Sequence, residues 1–108
     1  MTVNELAQVQ GFRALTLPDG DRQINGVYIG DLLSWVMGRA KADDAWITIM
    51  SNINIVAVAS LADVACIILA EGVTLEKSVE ETAIAKGVNV LSFDKPAYEA
   101  AVLLGSVI

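Results

Sequence analysis

The sequence predicts an α/β domain: a mainly parallel sheet of about five to six short strands with helices on both faces, in three layers. Three observations carry this. From Gly26 onward, strand, turn and helix recur four times. The segments 64–69 and 88–91 are nearly continuous hydrophobes, as strands covered on both faces are. The chain has 108 residues, of which 55% are hydrophobic and 19% charged, so it is long enough for one core and rich in residues to fill it.

The elements follow in order. Thr2 and Glu5 form a capping box, which predicts a short helix to about Val9, closed by Gly11. Residues 12–17 alternate and read as a strand, and Pro18-Asp19-Gly20-Asp21 is the clearest turn in the chain. Residues 26–29 predict a strand, followed by Gly30 and by Asp31 as N-cap of a helix over 32–40. A strand over 45–50 leads through Ser51 and Asn52, a turn and cap, into a helix over 53–62. The strand at 64–69 ends at Glu71-Gly72, and Thr74 is placed as cap of an amphipathic helix to Lys86, with Gly87 at its end. After the strand at 88–91, Ser92 or Asp94 is expected to cap the last helix, with Pro96 in its first turn and Tyr98, Val102 and Leu103 facing inward. No linker or low-complexity segment divides the chain, so residues 1–108 are read as a single domain.

Composition excludes several function classes. The net charge is −6, from 13 acids against 7 bases, with Arg39 and Lys41 as the closest basic pair. A nucleic-acid binder needs a positive footprint, and none exists here. The start of the chain lacks a charged and apolar leader, which points to the cytoplasm. The apolar stretch 53–70 is interrupted by Asn54, Ser60 and Asp63, and a central Asp costs ~2.5–3.5 kcal/mol in a membrane helix. It reads as a buried helix followed by a buried strand, with no membrane partner. Cys66 sits in an apolar run and the chain has no histidine, so the thiol reads as a small hydrophobe. Phosphate-binding, nucleophile-elbow and Cys-x-x-Cys motifs are missing. The acids Asp43-Asp44 and Glu80-Glu81 read as solvated surface. The expectation is a protein without catalytic residues, cofactor or metal.

In open α/β sheets ligands sit outside the carboxyl ends of the strands. That edge gathers Gly30, Asp31, Asn52, Asn54, Glu71, Thr74, Ser92 and Asp94. Capping accounts for several of them; a ligand or partner edge is the functional reading. Asp31, Glu71 and Asp94 disfavour phosphate there. The apolar surplus has two compatible readings, a doubly covered sheet and a surface buried against another copy. Trp35 and Trp46 read as core, with an interface anchor as the alternative.

At Asp21-Arg22 and through Gly26-Val27-Tyr28-Ile29-Gly30-Asp31-Leu32-Leu33-Ser34-Trp35-Val36-Met37, the chain resembles the DRTGG domain family. The likeness continues at 45–49 and 52–59 and to the end of the chain. Asn25-Gly26-Val27 stands where Thr-Gly-Gly is expected. The resemblance implies a fold like the amino-terminal domain of HPr kinase/phosphorylase and regulatory or subunit-association roles with no catalytic residues. It further implies a stand-alone bacterial member of a family that also occurs beside CBS domains in regulated pyrophosphatases. The expected function is therefore a non-catalytic, homodimeric regulatory or assembly module. The alternative is a nucleotide-type ligand sensor using the strand-end loops. Asp21 and Arg22, with Gly26, complete the candidate ligand or partner residues; the pair either fixes the loop 17–25 or reaches a partner.

Overall fold

The computed structural model describes all 108 residues as a five-stranded sheet covered by five helices. The strands are β1 (Phe12–Thr16), β2 (Gly26–Ile29), β3 (Asp44–Thr48), β4 (Cys66–Leu69) and β5 (Val90–Phe93). Their spatial order is β1-β5-β4-β3-β2. The last four run parallel, and β1 pairs antiparallel with β5 at the edge. The helices are α1 (Val3–Ala7), α2 (Leu33–Arg39), α3 (Asn54–Ala62), α4 (Lys77–Ala85) and α5 (Ala97–Gly105).

Side-chain alternation along the central strands sorts the core into two layers. Ala45, Ile47, Cys66, Ile68, Leu91 and Phe93 point to one face and meet Val3 and Leu6 of α1 and Ala100 and Leu104 of α5. Trp46, Ile67, Leu69 and Val90 point to the other and meet Val36, Ile55, Val56, Val79 and Ala83 of α2, α3 and α4. β3 and β4 are buried at every residue, so both faces of the sheet centre are dry. Trp46 has no exposed surface, and its indole Nε1–H donates to Gly30 O at 2.9 Å. That bond satisfies the single polar group of the ring and locks the end of β2 over β3.

The predicted capping box is present: Thr2 Oγ1 accepts from Glu5 N, and Glu5 Oε1 accepts from Thr2 N at 2.8 Å. The Thr2 bonds hold the Glu5 carboxyl below the usual range. The last helix differs from expectation. Tyr98 and Val102 face outward, 75% and 54% exposed, while Ala100 and Leu104 fill the core. Leu103 packs only at its margin. Trp35 also differs: it is 52% exposed, with the Arg39 guanidinium 3.7 Å over its ring. Asp44, expected on the solvated surface, is buried at the start of β3, where Oδ2 accepts from Lys41 N at 2.8 Å.

Candidate functional site

The parallel strands create two poles. At the carboxyl pole lie the loops after β2, β3, β4 and β5, joined by the start of the reversed β1, where Asp94 N donates to Gly11 O at 3.1 Å. Gly11 is required there. Its φ is +96°, and a Cβ would come 2.9 Å from the Phe93 ring.

Most residues expected to cap helices at this pole do something else. Asp31 does not cap α2, whose N-cap is Leu32 without a side-chain bond. Its Oδ1 accepts from Thr48 Oγ1 at 2.7 Å and from Ile49 N at 3.1 Å, tying the loop after β2 to the end of β3. Thr74 does not cap α4, which begins only at Lys77 after Glu76; Leu75, buried between them, pulls the chain inward first. Ser92 lies within β5, and its hydroxyl donates to Val73 O at 2.9 Å. Asp94 is exposed, and Pro96 is the N-cap of α5. The N-cap of α3 is Ile53, without a side-chain bond; Asn52 forms the expected turn just before it, its Oδ1 accepting from Asn54 N at 2.9 Å. Glu71, at φ +62°, donates its N–H to Lys95 O, and Gly72 N donates to Phe93 O, so the loop after β4 is pinned to the loop after β5.

Three clefts open around this pole. Asn52 and Thr74 meet across a polar cleft of about 610 Å³, lined also by Ser51, Glu76, Ser78 and Thr82. Hydroxyls and an amide dominate it, and its one charged group is a carboxylate, which suits neutral polar groups better than phosphate. Asn54 lies in a neighbouring groove of about 440 Å³ between α3 and α4, with Ile53, Leu61 and Lys86. Asp94 and Lys95 line a third of about 490 Å³ with Tyr98 and Val102. Gly30 and Asp31 line none of them. No three Asp, Glu, Cys or His side chains converge to hold a metal.

Asp21, Arg22 and Gly26 lie at the opposite pole, before the starts of the strands. Asp21 and Arg22 do not pair. Asp21 Oδ1 accepts from Asn4 Nδ2 at 3.0 Å. Arg22 Nε donates to Asp43 Oδ1 at 3.0 Å, and its NH2 donates to Asp63 Oδ1 at 2.8 Å and to Asp63 O. Burial lowers the Arg22 pKa, but the bonds to Asp63 and Asp43 outweigh it and hold the guanidinium charged above its ordinary value. Asp43 and Asp63 both take positive φ, 69° and 59°, so one arginine fastens two strained turns. Gly26 belongs to the same corner: a Cβ there would lie 2.5 Å from Asp44 Oδ1. Of the candidate residues, these three build the frame rather than a cleft. Cys66 is fully buried, and desolvation pushes its thiol up to about 12 despite the nearby Arg22 charge.

Trp35 is the residue whose setting sequence reasoning missed. Its signal lay in α2 itself, where Trp35 and Arg39 are spaced i, i+4 and Leu32 and Trp35 i, i+3 on one outward face.

Residues 13–107 match the DRTGG domain family. No curated protein matches the chain in sequence. The fold is similar to the crystal structure of the CBS and DRTGG domains of the regulatory region of Clostridium perfringens pyrophosphatase, complexed with its activator diadenosine tetraphosphate. The TM-score is 0.74 at 15% identity, over 95% of this chain and 45% of that one. The chain thus spans less than half the length of that neighbour.

Proposed function

The chain belongs to the DRTGG domain family, and on that premise we propose that it is a non-catalytic regulatory and assembly module that works as a homodimer. One observation carries the proposal: the outward face around α2 is apolar. Ile29, Leu32, Trp35 and Met37 are each half or more exposed. Leu32 and Trp35, three residues apart, share one side of the helix, and exposed apolar surface of this kind is what oligomers bury. The chemistry of the remaining groups supports the non-catalytic part. The thiol is buried and protonated, and Asp43 and Asp44 are each committed to hydrogen bonds within the fold. No helix is long and apolar enough to cross a membrane. The proposal places the module in the bacterial cytoplasm. Sedimentation equilibrium tests it: a dimer is expected at micromolar concentration, and a clean monomer throughout that range refutes it.

A second reading has its own support. The polar cleft between Asn52 and Thr74 lies at the carboxyl ends of β3 and β4, where open α/β sheets bind ligands. The structural neighbour is a regulatory region complexed with a nucleotide activator. In this reading the module senses a nucleotide through its base and ribose. A ligand at a hundred times its Kd stabilises a fold by about 2.7 kcal/mol, which a thermal-shift screen of adenine nucleotides with and without magnesium detects. No stabilisation by any of them removes the sensor reading.

A further inference from the structure

We propose that α2 packs antiparallel against α2 of a second copy, with the two-fold axis passing beside Trp35. This rests on the homodimer reading and locates its interface. α2 has seven residues and only one of them, Val36, is buried. Its N-cap, Leu32, makes no side-chain cap. A helix this short is not stable on its own account and needs packing on the faces it offers. On one side of it Leu32 and Trp35, three residues apart, are left 58% and 52% exposed, while Met37 stands on the other flank.

Gly38 gives an independent reason for a partner helix. It has no positive φ, and a Cβ added there would meet nothing within 4 Å. Neither backbone conformation nor packing inside this chain calls for glycine at that helical position, where it weakens the helix. Close approach of a second helix backbone does call for it.

Charge fixes the direction. Asp31 and Arg39 stand four residues before and four residues after Trp35. Both ion pairs within the chain belong to Arg22, so Arg39 has no acid of its own. Asp31 uses Oδ1 for Thr48 and Ile49 and keeps Oδ2 for another donor. Antiparallel packing about Trp35 sets Asp31 against the partner's Arg39 and repeats the pair across the axis, as an isologous contact must. Parallel packing would set like charges side by side.

The chain's two tryptophans provide the readout, since Trp46 is fully buried and Trp35 is not. Dilution through the dimer–monomer transition is expected to shift the tryptophan emission to the red, with the same midpoint as sedimentation. Trp35→Glu is expected to leave a folded monomer, judged by far-UV circular dichroism. Arg39→Glu is expected to weaken dimerisation at least tenfold. A dimer whose emission ignores dilution, or which withstands both substitutions, overturns this interface and leaves the homodimer standing. A chain monomeric at every concentration overturns both.

Discussion

Replacing Arg22 with alanine is expected to destabilise the fold by about 2 kcal/mol. Ordinary surface ion pairs contribute only ~0–1 kcal/mol, and two features raise Arg22 above that class. Its side chain is only 22% exposed, and it makes three hydrogen bonds at once, to the side chains of Asp43 and Asp63 and to Asp63 O. Hydrogen bonds to charged groups contribute about 1.5–3 kcal/mol when buried. The Asp63 side chain is 65% exposed, so its share is discounted for solvent screening. What remains includes the release of two turns at positive φ, Asp43 and Asp63. For a domain of this size about 2 kcal/mol lowers the melting temperature by about 8 °C. Thermal unfolding followed by circular dichroism measures it. Arg22→Lys is expected to recover less than half the loss, because an ammonium cannot fork between two acceptors. Asp21→Ala, which removes only the exposed bond from Asn4, is expected to stay within about 2 °C of the parent. Equal, small effects of Arg22→Ala and Asp21→Ala would refute the clamp and return both residues to a partner-facing role.

Asn89 is buried and makes three hydrogen bonds, receiving one from Asp19 N and giving two, to Asp19 O and Ala65 O, so Asn89→Ala is expected to cost about 3 kcal/mol in urea unfolding. Trp46→Phe keeps an aromatic ring but shrinks it and leaves Gly30 O without its donor; a loss of about 2 kcal/mol is expected, with Trp35 as the remaining fluorophore. Cys66 is raised from 9.0 to about 12, so the folded state favours the neutral thiol; its contribution to stability is complete below about pH 9 and is lost as pH rises towards 12. Alkaline unfolding of Cys66→Ala should therefore be less steep over that window than that of the parent. An aromatic disulfide reagent at pH 8 should label the parent only after denaturation, and rapid labelling of the native chain would contradict the burial.

Features set by neighbours in sequence were legible. The Thr2–Glu5 box closes over three residues and needs nothing from the rest of the chain. The unbroken burial of β3 and β4 and the run of strand, turn and helix follow from the order of apolar residues. Features decided by competition between distant partners were not legible. Asp31 has the right chemistry for a cap, but Thr48 and Ile49 are better placed for its carboxylate once β2 and β3 pair. Ser92 is drawn into β5, where its hydroxyl serves Val73. In α5 the small Ala100 approaches the sheet and turns Tyr98 outward; nothing in the apolar spacing alone chooses between those faces. The site suffered most. Candidate residues from Gly30 to Asp94 do fall at one pole, yet Asp21, Arg22 and Gly26 fall at the other, because Asp21 meets Asn4 beside α1, Arg22 meets Asp43 and Asp63 ahead of β3 and β4, and Gly26 meets Asp44 at the start of β3.

The segment between β1 and β2 is formally a loop, but it is fastened almost residue by residue. Val3 N donates to Arg22 O, Asn4 N to Gly20 O, Ile24 N to Met1 O and Asn25 N to Asp43 O, while Asn89 holds Asp19 from both sides. Insertions or deletions there would break several of these bonds at once. The turns at the other end carry fewer cross-ties, with Ser51 and Asn52 followed by α3 and Val73 to Glu76 leading into α4. Added chain length, a grafted peptide or a fused domain therefore belongs at the Ser51-Asn52 turn after β3 or between Thr74 and Glu76, clear of the bonds that pin Glu71, Gly72 and Val73, where the frame can keep its shape while the surface above it changes.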